Sequence, residues 1–122
     1  VTNILTGTGS YTFASVPATT ASTPVTFTIE NTGTANLSVG TITSSSSDFS
    51  VTQAVSASVA GGVTTTFTVT FNPATVGAKT GTITIVNNDG NENPYTFTVN
   101  GSATAAAAPE IAVIQGSTPI VS

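Results

Sequence analysis

The stretch "TFTVTFNPATVGAKTGTITIV" (residues 66–86) decides the fold class. Apolar residues alternate with threonine on both sides of the turn "NPATVG" at 72–77. Alternation with a period of two is typical of half-buried strands of an antiparallel sheet, and the turn separates two such strands. The apolar positions, which we expect to face a core, are Phe67, Val69, Phe71, Ile83 and Ile85.

The same alternation recurs along the chain, in "VTFTIEN" (25–31) and "YTFTVN" (95–100). Shorter runs follow it in "FSVT" and in "NLSVGTIT", where the phase shifts after Gly40 as at a β-bulge. Turn sequences rich in Asn and Gly separate these runs. We therefore predict an all-β protein: an immunoglobulin-like antiparallel β-sandwich of seven to eight strands, formed by residues 1–102.

The composition restricts the partners that the chain can bind. Charged residues are 5% of the chain, the net charge is −4, and Lys79 is the one basic residue. Such a chain cannot neutralise phosphates, so we expect neither nucleic acid nor an anionic membrane surface as a partner. No apolar run is long enough for membrane insertion. The 27 Thr and 14 Ser indicate a neutral polar surface, and we predict an extracellular or cell-surface location.

Residues suited to catalysis are scarce. The chain has no His and no Cys, and its serines and threonines lack a base that would activate them. We therefore predict no enzymatic activity and no cofactor. The sequence also lacks an initiator Met and a leader pattern, so we expect a mature or excised product.

Four weaker site hypotheses compete with ordinary structural explanations. The loop 87–93 contains Asp89 and Glu92 and suggests calcium, but Asn-Asp-Gly is also a common hairpin turn, which we favour. Lys79 suggests a covalent cross-link between Lys and Asn, but we favour an ordinary exposed lysine at the start of a strand. The Thr-x-Thr arrays suggest an ice-binding face, which sheet twist disfavours. Asn36 and Asn100 begin glycosylation sequons, which are frequent by chance.

The C-terminal part of the chain has a different character. Residues 103–109 read as a linker, since four alanines precede Pro109 and are too few to form a helix. Residues 110–122 then read as an extended apolar segment. Its end, "STPIVS" (117–122), resembles the start of the chain, "VTNILT" (1–6), with a constant offset. This similarity suggests a repeat unit that is cut within its first strand.

Several segments together resemble a known family. They are "FTIENTGTANLSV", "FSVT", "GGVTTTFTVTFNPATVGAKTGTITIVNND" and "NENPYTFTVNGSA". Over residues 11–114 the chain resembles the repeats of the choice-of-anchor D family of bacterial surface proteins, which is related to the Hydin-like (ASH) immunoglobulin domains. The resemblance implies an immunoglobulin-like sandwich in an exported, often tandem, surface protein, and no catalytic residues.

A repeat of that family begins with a "PEI-x-V" strand, which this chain carries at 109–114, after the linker. We therefore expect that a neighbouring subunit supplies the first strand, by donor-strand complementation. The donor residues would be Pro109, Glu110, Ile111, Ala112, Val113, Ile114, Ile120 and Val121. The partners would be identical subunits in a head-to-tail homopolymer, because a contact that does not close generates a filament.

Two other uses of the terminal segment stay open. The chain can be one repeat of a tandem surface adhesin, in which the segment is covalently the first strand of the next domain and the domain is a spacer or binds a glycan or protein. The segment can also pair within its own domain, although the linker is shorter than the dozen residues that a parallel crossover needs. Few aromatic residues are available for a glycan site, since most of them lie in core phase.

Overall fold

The computed structural model describes residues 3–53, 58–116 and 118–120. Over these residues the chain is all-β, with eleven strands and no helix, and so without a helix able to cross a membrane. The strands are β1 (Ser10–Thr12), β2 (Val16–Pro17), β3 (Val25–Glu30), β4 (Leu37–Ser44), β5 (Phe49–Gln53), β6 (Ser58–Val59), β7 (Thr64–Phe71), β8 (Gly77–Asn87), β9 (Tyr95–Thr104), β10 (Val113–Gln115) and β11 (Thr118–Ile120).

Strands β1 to β9 form two sheets that face each other. One sheet has the order β1-β9-β8-β4-β6, with β2 also paired to β9, and the other has the order β3-β7-β5. With β1 and β2 counted as two parts of one first strand, the sandwich has eight strands. The predicted immunoglobulin-like β-sandwich is confirmed.

The core lies between the sheets and is dominated by phenylalanine. All six Phe residues are buried, and rings from opposite sheets meet: the centroids of Phe27 and Phe97 are 5.3 Å apart, and those of Phe13 and Phe71 are 5.9 Å apart. The alternating positions of residues 66–86 behave as predicted, since Phe67, Val69, Phe71, Ile83 and Ile85 are all buried. The positions between them, Thr68, Thr70 and Thr84, are only half-buried, so the period-two pattern gave the correct core face for each strand.

The phase shift after Gly40 corresponds to a bulge. Strand β4 pairs with β8 in antiparallel register, and the register shifts between Val39 and Ile42. Both residues are buried, although an uninterrupted strand would place them on opposite faces. The extra residue in β4 is what returns Ile42 to the core.

Asn31 fixes the turn that follows β3. Its buried amide nitrogen donates to the carbonyls of Ala35 and Val59, at 2.7 and 2.8 Å, and its side-chain oxygen accepts from the Gly33 amide. The "NTGTAN" turn therefore owes its shape to one side chain that satisfies backbone groups which would otherwise be buried without partners.

The first strand beside β9 is supplied by the chain itself. Strand β1 pairs with β9 in parallel, Tyr11 opposite Val99, and β2 continues the pairing with Val16 opposite Ala103. The expectation that a neighbour fills the first-strand position is therefore wrong for this edge. The physical reason is that residues 10–17 carry Phe13, which is 4% exposed, and Tyr11, which packs on the core.

Candidate site for strand addition

Residues 105–116 lie outside the sandwich. Strand β9 continues to Thr104, so the first two residues of the predicted linker lie in a strand, and residues 105–116 are all exposed. Three large aliphatic side chains of this segment face solvent: Ile111 is 85% exposed, Val113 55% and Ile114 60%. An exposed aliphatic cluster of this kind, on a chain with so few charges, is typical of a binding segment.

The segment folds locally as a small hairpin. Strands β10 and β11 pair antiparallel, with Val113 opposite Ile120, and Gly116 turns the chain between them with φ of 68°. A positive φ of this kind favours glycine. Among the described residues, the hairpin forms a sheet of its own.

The predicted donor residues up to Ile114 thus lie together in the sequence but not on the sandwich. Pro109, Glu110, Ile111 and Ala112 are exposed and outside regular structure, whereas Val113 and Ile114 are in β10. The backbone of Ile120 is in β11, and Val121 lies outside the described residues. Their pairing with a second chain stays a prediction.

One long sheet edge of the sandwich has no partner strand. Strand β3 ends its sheet and pairs with β7 alone. The Asn31 amide donates to the Val63 carbonyl across this pair, and the direction of backbone groups alternates along an antiparallel strand. The N–H and C=O groups of Thr26, Thr28 and Glu30 therefore point away from β7, to the open edge.

A groove runs beside the start of this edge, at the side of the sandwich between β1–β2 and β3. Its volume is about 200 Å³, and no charged residue lines it. The apolar part of the lining comes from both sheets, since Tyr11, Phe13 and Val16 belong to the first-strand segment and Val25 belongs to β3. An extended strand placed on the β3 edge would direct every second side chain toward this groove.

The other edge of the same sheet, strand β5, is partly closed. The side chain of Gln53, at the end of β5, accepts from the Ile42 amide at 3.0 Å and donates to the Gly40 carbonyl at 2.9 Å. It thereby joins β5 to the bulge of β4. At the start of β5, the amide of Phe49 donates to the Ser46 carbonyl. The β5 edge is therefore partly closed by the chain's own groups, in contrast to β3.

The remaining candidate sites are occupied by ordinary structural contacts. In the loop 87–93, Asp89 accepts the Asn91 amide at 3.0 Å, and Asn87 donates to the Glu92 carbonyl at 2.9 Å, which is turn chemistry. Among the described residues, no group of three or more acidic side chains is placed to hold a metal ion.

The other singled-out polar residues have separate positions. The Lys79 ammonium donates to the Thr75 hydroxyl at 2.6 Å. Of the two sequon asparagines, Asn36 is exposed in a turn, whereas Asn100 is half-buried in β9. Only Asn36 therefore presents its amide as glycosylation requires.

The β3 edge and its groove were missed by the sequence reasoning. The alternation in "VTFTIEN" predicted the strand but not its neighbours. The available signal was the alternation of Tyr11 and Phe13 around Thr12, which is a short strand pattern near the N-terminus. If that N-terminal strand is placed beside β9, it no longer covers β3. Strand β3 is then the open edge of the other sheet.

Comparisons with known proteins agree with this architecture. The sequence model of the family described as "ASH: Abnormal spindle-like microcephaly-assoc'd, ASPM-SPD-2-Hydin" matches residues 6–94. A search of curated protein sequences gave no significant match.

Two solved structures share the fold at low sequence identity. The ASH/PapD-like domain of human CEP192 (PapD-like domain 7) aligns with a TM-score of 0.66 at 16% identity, over 80% of this chain and 82% of that chain. A protein of unknown function from Porphyromonas gingivalis W83 aligns with a TM-score of 0.67 at 14% identity, over 76% of this chain and 43% of that chain. At such identities the likeness shows the fold alone. Because the family match extends over well more than half of the chain, the chain belongs to the ASH family of immunoglobulin-like domains.

Proposed function

We propose that this ASH-family domain is a non-enzymatic structural module that joins identical copies in series, through the C-terminal segment 109–122 of one copy and the sandwich of the next. The product would be an extracellular filament or surface array. Membership in the choice-of-anchor D group of bacterial surface proteins is part of this proposal, and it rests on the sequence resemblance alone.

The observation that carries the proposal is the exposed aliphatic cluster of the segment, at Ile111, Val113 and Ile114. Full burial would stabilise a contact by about 1.5–3 kcal/mol for each of these side chains. The cluster follows a stretch without regular structure, residues 105–112, so it is free to enter a neighbouring molecule. Addition of such a segment to a sheet edge is a recurrent form of protein association.

Truncation after Ala108 tests the proposal without removing any part of the sandwich, because β9 ends at Thr104. We expect the full chain to form polymers in sedimentation velocity and negative-stain electron microscopy, and the truncated chain to remain monomeric with an unchanged melting temperature. Polymers of the truncated chain, or a full chain that stays monomeric at high concentration, would contradict the proposal.

A pair of charge variants separates the apolar contact from a general effect of charge. Ile111→Asp with Val113→Asp places two carboxylates in the aliphatic cluster and should abolish assembly. Ala105→Asp with Ala107→Asp adds the same charge to the exposed linker and should leave assembly intact. Equal loss in both variants would show that net charge, and not the cluster, controls assembly.

A second candidate function has a specific observation in its favour. The segment "STPIVS" resembles "VTNILT" at the start of the chain, where Ile4 packs on the core and its carbonyl accepts the Tyr95 hydroxyl. The C-terminal segment thus resembles a segment that docks on its own sandwich. In a tandem surface adhesin the same contact would be made within one polypeptide, and the domain would be a spacer or a ligand-binding repeat.

Peptide mapping of the native protein distinguishes the two functions. A tandem protein would yield peptides that continue from the segment 117–122 into a second sandwich sequence. A filament of separate chains would yield peptides that end there, together with monomers on a denaturing gel.

A further inference from the structure

We infer that the acceptor for the C-terminal segment is the open edge of β3, on which residues 109–113 of a second copy add as an antiparallel strand. This inference rests on the proposed function and gives the location and register of its contact. It assigns to the β3 edge and the adjacent groove a binding role, and it assigns the partner as another copy of this chain.

The edge offers a row of unsatisfied backbone groups. The N–H and C=O groups of Thr26, Thr28 and Glu30 point away from β7, and within the described part of the chain no strand pairs with them. Sheet edges in natural proteins are usually short, charged, interrupted by proline or covered. Strand β3 has six residues and no internal proline, and its carboxylate stands at its last position, so most of the edge is open.

The groove selects an occupant that is apolar and neutral. Its lining contains Tyr11, Phe13, Val16 and Val25 and no charged side chain, so a charged side chain inside it would be desolvated without a partner. Residues 111–122 of the chain contain no charged residue at all. Ile111 and Val113 are two residues apart, so on an extended strand both face the same side, toward the groove.

Side-chain chemistry also fixes the register. Both other pairs in this sheet, β3–β7 and β7–β5, are antiparallel, so we place the added strand antiparallel to β3. Placing Ala112 opposite Thr26 brings Ile111 beside Phe27 and Val113 beside Val25, next to the groove. The same register places Glu110 opposite Thr28 and so keeps it from facing Glu30, since directly opposed like charges destabilise a sheet.

The segment of the same molecule is poorly placed to fill this site. Strand β9 ends at Thr104 beside Pro17 and Ala18, at the end of the sandwich where β3 begins. In this register Pro109 lies opposite Ile29. Strand β9 ends level with Pro73, whose carbonyl accepts the Thr19 amide, and Pro73 lies four residues beyond Val69, the partner of Val25. The position opposite Ile29 is therefore eight residues, about 26 Å, from that level along β3. The chain from Thr104 to Pro109 spans at most about 18 Å when extended. A second copy has no such restriction.

Replacement of one edge residue tests the site. Thr26→Pro removes an N–H that points to the open edge and leaves the β3–β7 pairing intact, because proline is tolerated on edge strands in that orientation. Thr26→Val keeps the N–H and is the matched control. Loss of one or two backbone hydrogen bonds should raise the concentration needed for assembly by about tenfold or more in the proline variant. The valine variant should assemble like the original chain.

Cross-linking gives a second readout that does not depend on the stability of the proline variant. The chain has no cysteine, so two single variants, Thr26→Cys and Ala112→Cys, can be mixed under mild oxidation. We expect a disulfide-linked dimer of the two variants, because opposite positions in a strand pair have Cα atoms close enough to bridge. The control is Thr82→Cys, which is exposed on β8 between two partner strands.

The outcomes separate this inference from the proposed function. If truncation after Ala108 abolishes assembly while Thr26→Pro has no effect and residues 26 and 112 do not cross-link, the segment binds elsewhere and the inference is wrong. If truncation has no effect on assembly, the proposed function itself fails. A 26–112 dimer formed in preference to an 82–112 dimer supports the β3 edge.

Discussion

Gly101 shows how tightly the two sheets approach each other. A Cβ atom added there would lie 2.5 Å from an edge atom of the Phe71 ring, and Phe71 is fully buried against Phe13 and Phe49. The ring has no free space into which it can move, so this position in β9 has to remain without a side chain.

We predict that Gly101→Ala destabilises the fold by about 1–3 kcal/mol, since it forces an overpacked core to rearrange. Chemical denaturation monitored by circular dichroism measures the change. Gly90→Ala is the matched control, because nothing lies within 4 Å of a Cβ at that position. A Gly101→Ala variant as stable as the Gly90→Ala variant would contradict the packing argument.

The Tyr95 phenol makes the attachment of the N-terminal segment depend on pH. Burial, with a smaller contribution from the nearby Glu92 carboxylate, raises the pKa of the Tyr95 phenol above its ordinary value, and its hydroxyl donates to the Ile4 carbonyl. The folded state therefore retains the phenolic proton to higher pH than the unfolded state does. The corresponding stability is present below about pH 10 and is lost as the pH rises through the raised pKa.

We predict that the free energy of unfolding falls with pH above about 10, and that Tyr95→Phe shows a smaller fall. Urea denaturation at several pH values measures both slopes, and the ultraviolet absorbance of phenolate follows the titration directly. Identical slopes for the two proteins would show that Tyr95 does not contribute to this pH dependence.

At the scale of elements, the side chain of Gln53 connects strand β5 to strand β4 of the other sheet. At the bulge of β4, Gln53 satisfies both the Ile42 amide and the Gly40 carbonyl. This side chain joins the two sheets at the side of the sandwich opposite to β3.

We predict that Gln53→Glu and Gln53→Ala each destabilise the fold by about 1 kcal/mol, the first because the carboxylate cannot donate to the Gly40 carbonyl and the second because both hydrogen bonds are lost. Thr52→Ala, at the exposed neighbouring position, is the control for strand propensity. Thermal unfolding of the three variants measures the effect, and unchanged stability in both Gln53 variants would contradict the bridging role.

The sequence predicted the strands better than their neighbours. Alternation of Phe, Val and Ile with Thr is a local signal, and it predicted β3, β7, β8 and β9 with the correct buried faces. Strand pairing depends on contacts between residues far apart in the sequence, so no local pattern indicated that residues 10–17 pair with β9. The candidate donor segment was predicted because a "PEI-x-V" strand follows the linker, whereas the candidate acceptor edge required the topology of both sheets.

At the scale of the whole molecule, the scarcity of charge predicts how assembly responds to salt. The proposed contact places aliphatic side chains beside an uncharged groove and keeps Glu110 out of it, so screening of charges should have little effect on it. We predict that assembly is unchanged by sodium chloride up to about 0.5 M and is promoted by sulfate, which strengthens apolar burial. Light scattering of the full chain measures both responses. Dissociation of the polymers by sodium chloride would indicate an electrostatic contact.

The parallel pairing of the first strand with β9 has a mechanical consequence. Where repeats are joined covalently in tandem, β1 enters each sandwich and β9 leaves it, so a load along the chain pulls these two strands in opposite directions, along their length. Their hydrogen bonds, from Gly7 with Thr96 to Ala18 with Thr104, are then loaded in shear and have to break together instead of one at a time. In a tandem array, the first strand is thus placed where each domain would otherwise unfold first under tension.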